Sequence, residues 1–96
     1  MNQETFALVK SVVQELSDEL GYDSFADANP DTPLYGEATG IDSLALVSIV
    51  AAVERAAEDA FKKRVLLADE RAMSRRSSPY RTLGTLAELL QERLAE

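Results

Sequence analysis

Residues 40–61 read GIDSLALVSIVAAVERAAEDAF, and this stretch decides the fold. A polar segment ends at Asp42-Ser43, and from Leu44 to Val53 only Ser48 is polar. A helix that is apolar nearly all round is either buried on most sides or displays apolar surface to a partner. From Glu54 onward the pattern turns amphipathic, with Glu54, Arg55, Glu58 and Asp59 outward and Val53, Ala57, Ala60 and Phe61 able to pack. Residues 43–61 are therefore predicted to form one helix. In so small a chain it serves as a central core helix, with or without an added contact face.

Working outward, residues 3–20 show the same period. Phe6, Val9, Val13, Leu16 and Leu20 recur at spacings of three and four, flanked by Val12. Asn2 is placed to cap this helix, Glu4 suits its positive end, and Gly21 is placed to stop it. Residues 21–41 read as a long loop punctuated by Gly21, Pro30, Pro33, Gly36 and Gly40. Leu34 and Tyr35 are its expected apolar anchors, with Phe25 a weaker one. Beyond the central helix, Asp69 to Met73 favour a short helix, and Ser74 to Pro79 (SRRSSP) reads as a loop. Tyr80 and Leu83 are expected to anchor the last element. Residues 83–94 carry Leu86, Leu89, Leu90 and Leu94 on one stripe. Thr82 can cap that helix; alternatively Thr85 with Glu88 makes a capping box that leaves Gly84 outside it. Three long helices and one short one predict an all-α fold, a small four-helix bundle forming a single domain over residues 1–96.

Composition narrows the chemistry. The chain has neither Cys nor His, which removes disulfides, thiolate nucleophiles, the usual zinc sites and the commonest general base. No paired-acid constellation stands out, so neither catalytic residues nor metal ligands are expected. Formal net charge is −7, which argues against nucleic acid as a partner. The charge is uneven: residues 1–61 are net −10, residues 62–81 net +5 and residues 82–96 net −2. The basic block is expected to be mainly a solvated face, with docking of an anionic partner as the alternative. The start MNQETFALVK lacks the basic and apolar runs of a signal peptide, and no stretch is long enough to span a bilayer. A soluble, cytoplasmic monomer is the expectation.

The remaining chemical candidate is Ser43. A helix N-terminus presents unpaired N–H groups and partial positive charge, which favour a phosphate there. Asp42 is expected to cap the helix and Leu44 to pin its first turn, so that Ser43 projects outward.

The motif Gly40-Ile41-Asp42-Ser43-Leu44 resembles the phosphopantetheine attachment motif of acyl carrier proteins, with Ser43 matching the modified serine. The resemblance covers nearly the whole chain: amphipathic first helix, long loop anchored at Leu34, motif, second helix, short third helix, and a fourth helix beginning near Thr82-Leu83. It implies a carrier, not an enzyme. A phosphopantetheinyl transferase would move 4′-phosphopantetheine from coenzyme A onto Ser43, beside Asp42 and Leu44. The arm would hold acyl groups as thioesters, sheltered between helices, for acyl-loading and acyl-using enzymes. Those enzymes would dock on the second helix, at Leu46, Val47, Val50 and Glu54.

The chain departs from the family in ways that bear on partners. Carriers of fatty-acid synthesis usually have acids early in the second helix; here Ala45 and Ser48 stand in the matching positions, while Glu54 retains a later acid. The second helix is about one turn longer, and the segment from Phe61 to Leu83 is extended and basic. These features point to a specialised fatty-acid, lipid or polyketide-like pathway. An aminoacyl or peptidyl carrier on the same fold, and an unmodified helical adaptor, remain alternatives.

Overall fold

The computed structural model describes residues 3–20, 28–35, 41–74, 76 and 78–96. The described residues form four helices in order: α1 (Gln3–Leu20), α2 (Ser43–Phe61), α3 (Glu70–Met73) and α4 (Leu83–Ala95). The described residues contain no strand, only bridge pairings such as Pro33 with Thr82. The expected cap at Asn2, stop at Gly21, anchor at Phe25 and loop glycines Gly36 and Gly40 lie outside the described residues.

α1 packs against both α2 and α4. Its buried line is Thr5, Val9, Val13 and Ser17, with Val12 beside it, so Phe6 and Leu16 flank the core rather than centre it. The buried Ser17 hydroxyl donates to Gln14 O at 3.0 Å, which removes the penalty of hiding it. α2 contributes Ile49, Val50, Val53 and Ala57, and α4 contributes Leu83, Leu86, Ala87, Leu89 and Leu90. The core is thus aliphatic. α2 ends at Lys62, whose backbone is left-handed (φ 57°, ψ 33°) and whose N–H donates to Glu58 O.

The segment before α2 is stapled to the head of α4. Leu34 N–H donates to Arg81 O at 2.9 Å, Leu83 N–H to Thr32 O at 3.0 Å and Gly84 N–H to Pro30 O at 2.9 Å. Thr85 N–H donates to the Thr82 hydroxyl, and Thr82 N–H to the Thr85 hydroxyl. The first-turn donors of α4, which have no partners within the helix, are satisfied in this way. Thr82 is therefore the cap, with Thr85 as its reciprocal partner, and the box with Glu88 is not used. Gly84 lies inside the helix because Pro30 leaves no room for a side chain: a Cβ there would meet Pro30 O at 2.6 Å.

Leu34 anchors the loop as expected and is fully buried, whereas Tyr35 is 42% exposed. Tyr80 and Leu83 are both buried, and the Tyr80 hydroxyl donates to Leu67 O at 2.7 Å.

Candidate functional site at the head of α2

α2 starts at Ser43 because Asp42 is extended (φ −89°, ψ 178°) and its Oδ1 accepts Ala45 N–H at 2.8 Å. Leu46 N–H then donates to Asp42 O, beginning the helical ladder. Ser43 is thus the first helical residue; its side chain lies outside the described part of the structure. The residue that pins this turn is Ile41, buried just before the cap. Leu44 does not pin it, being 77% exposed. The helical period explains why: at about 100° per residue, Leu44 stands on the opposite side of α2 from the fully buried Val53.

The four residues expected to meet partners do not lie on one outward face. Val47 is 64% exposed, Leu46 and Glu54 are half-buried, and Val50 is buried in the core. They converge instead on a pocket of about 140 Å³, completed by Ala51, Ala68, Met73 and Tyr80. Its lining is apolar apart from Glu54 and the Tyr80 hydroxyl, and both of those are engaged with the backbone of Leu67. Leu67 N–H donates to Glu54 Oε2 at 2.7 Å, while Leu67 O accepts from Tyr80. Glu54 is therefore a brace for the 65–69 segment rather than an outward acid. Sequence reasoning missed Ala68, Met73 and Tyr80. The available signal was the line Leu46, Val50, Glu54 at spacings of four, which marks one α2 edge needing a cover.

Two cations of the basic block, Lys63 and Arg71, reach the C-terminal end of α4, and Arg93 of α4 reaches back to the 65–69 segment. Lys63 Nζ donates to Leu94 O at 2.8 Å, Arg71 makes two hydrogen bonds to Glu96 at 2.8 and 2.9 Å, and Arg93 forks onto Asp69 at 2.7 and 3.0 Å. Cations at the carbonyl end of α4 also complement its dipole. Arg93 is 5% exposed, and its Nε is buried with no partner among the described residues. The Asp69 carboxyl is held below its ordinary pKa, chiefly by Ala72 N–H and then by the Arg93 charge, against the opposing push of burial.

Among the described residues, no group of three His, Cys, Asp or Glu side chains is placed to hold a metal ion. None of the described helices is long and apolar enough to cross a membrane. The chain matches no protein-family model, no curated protein and no solved structure.

Proposed function

We propose that the chain is an acyl-carrier-like protein that receives 4′-phosphopantetheine on Ser43 and carries acyl groups for a specialised pathway. One observation carries the reading: Ser43 is the first residue of α2, and an apolar pocket opens about one turn further along the same helix at Leu46 and Val47. A phosphodiester on Ser43 would sit at the positive end of α2, where backbone donors favour it. Asp42 opposes it by charge, but that carboxylate is already bonded to Ala45 N–H.

The group supplies the thiol that a chain without Cys and His lacks. This chain's own residues do the rest. Ile41 and Asp42 hold the turn, α2 positions the serine, and Leu46, Val50, Ala51, Ala68 and Tyr80 offer an apolar wall that excludes water from a short cargo. A tethered cargo raises its own concentration at each enzyme that docks, which favours transfer without any catalysis by the carrier. The partners are then a phosphopantetheinyl transferase and acyl-loading and acyl-using enzymes, met by a monomer in the cytoplasm.

A second reading has its own observation. Exposed Leu44 and Val47 also suit an unmodified adaptor. Intact mass separates the two. Incubation with coenzyme A and a broad-specificity phosphopantetheinyl transferase is expected to add one phosphopantetheine to the wild type and none to Ser43→Ala. No gain on a folded wild-type chain rejects the carrier and favours the adaptor.

A further inference from the structure

The pocket beside α2 is shaped by what is small and by what is already bonded. Val50 and Tyr80 are buried and line it from the core side, while Val47 and Met73 stand exposed at its mouth. Between them the room exists because Ala51 and Ala68 carry only a methyl group each. Both polar groups of the lining are tied to one residue. Glu54 accepts Leu67 N–H at 2.7 Å, and the Tyr80 hydroxyl donates to Leu67 O at 2.7 Å.

Volume sets one limit on an occupant. The pocket measures about 140 Å³, and an apolar cavity of about 150 Å³ takes benzene, with its six carbons. A chain of up to about six carbons therefore fits, and each methylene that leaves water there stabilises the folded chain. A longer chain leaves its surplus carbons outside, beside Val47 and Met73. Polarity sets a second limit. A charged chain end would shed its water in a lining whose polar groups are already engaged, which is penalised. A carboxylate end would also be repelled by Glu54. An ammonium end is the strongest competitor, because Glu54 attracts it. Turning Glu54 to an amine, however, gives up the bond to Leu67 N–H that holds the pocket's own wall.

We infer, resting on the carrier reading above, that the cargo on Ser43 is an unsubstituted aliphatic acyl group of no more than about six carbons, its length set by Ala51 and Ala68. This separates an acyl cargo from an aminoacyl one, which the sequence left open. Leucine at position 51 adds three carbons to the wall, about half of what such a volume holds. The same change at position 68 fills the space from the 65–69 segment. A tethered chain samples the pocket at high effective concentration, so its fit is read directly as stability of the loaded protein.

The test loads the full chain from acetyl-, butyryl-, hexanoyl-, decanoyl- and 6-aminohexanoyl-coenzyme A with a broad-specificity phosphopantetheinyl transferase. Intact mass confirms each load, and circular dichroism gives the melting temperature. From acetyl to hexanoyl the melting temperature is expected to rise by about 5 °C, and from hexanoyl to decanoyl to change by no more than about 1 °C. The 6-aminohexanoyl form is expected to melt within about 2 °C of the acetyl form. Loaded Ala51→Leu and Ala68→Leu are each compared with their own acetyl forms, so that any general change in stability cancels. Both are expected to lose most of the hexanoyl rise. A rise that continues to decanoyl, no rise at all, or a rise that both leucine variants keep overturns the inference, while the mass gain leaves the carrier reading standing. An equal or larger rise with 6-aminohexanoyl overturns the aliphatic assignment and gives the pocket to an amine held by Glu54. No mass gain with any donor rejects the carrier reading and the cargo with it, so intact mass tells the two failures apart.

Discussion

Gly84→Ala is the sharpest probe of how the segment before α2 is held. In a helix this change normally stabilises, by about 1 kcal/mol in the interior, because alanine loses less backbone freedom. Here the added Cβ would stand 2.6 Å from Pro30 O, 3.0 Å from Pro30 Cβ and 3.2 Å from Pro30 C. Those atoms belong to a ring and a backbone and cannot rotate aside. Relief requires moving residues 30–34 off the head of α4. That move gives up the bonds from Gly84 N–H to Pro30 O and from Leu83 N–H to Thr32 O, each worth about 1 kcal/mol net. Whether the chain keeps so close a clash or gives up the two bonds, the cost is about 2–3 kcal/mol before the helical gain of about 1 kcal/mol is subtracted. The expected net loss is about 1–2 kcal/mol, a fall in melting temperature of roughly 5–15 °C for a domain of this size. Urea and thermal unfolding followed by circular dichroism measure it. A variant as stable as the wild type, or more so, would refute the close approach of Pro30 and the stapling built on it.

Other consequences follow from named contacts. Glu54→Ala strands Leu67 N–H and is expected to lower stability by about 1–3 kcal/mol in urea titration, with Glu54→Gln losing less because it keeps an acceptor. Asp69→Asn is expected to lower stability near pH 6, with the deficit shrinking at pH 3. The folded-state pKa of Asp69 is depressed, so its contribution is present above the unfolded carboxyl value and lost as pH falls through the folded one. Leu44→Ala should change stability by no more than about 0.5 kcal/mol in thermal melts, because the side chain stands in solvent. Lys62→Gly relieves a left-handed backbone at the end of α2 and is expected to raise the urea midpoint, by about 0.5–1 kcal/mol of stability.

Most of the helical layout was legible because helices announce themselves by period. The stripes around Val9 and Val13, around Val53 and Ala57, and around Leu86 and Leu90 set α1, α2 and α4 close to their observed bounds. The misreadings arose where a long-range neighbour decides the outcome. Gly84 left two caps open in the sequence, Thr82 or Thr85 with Glu88, and Pro30, more than fifty positions earlier, is what makes glycine the residue that fits inside the helix. Leu44 read as an anchor because it is leucine; only the angular position of Val53 shows that it faces away. At the candidate site, Ser43 and its cap were legible from Asp42-Ser43 ahead of an apolar run. The pocket was not, because three of its eight lining residues come from a segment with weak periodicity, fixed by Leu67, Asp69 and Tyr80 through contacts no local pattern encodes.

The central claim concerns one oxygen atom, and its most direct test reads that atom's mass. After treatment with coenzyme A and a phosphopantetheinyl transferase, tryptic cleavage at Lys10 and Arg55 releases residues 11–55, which contain Ser11, Ser17, Ser24, Ser43 and Ser48. Fragmentation of that peptide is predicted to place one phosphopantetheine on Ser43 alone. An unmodified peptide from a folded chain, or the group on any other serine, would contradict the account.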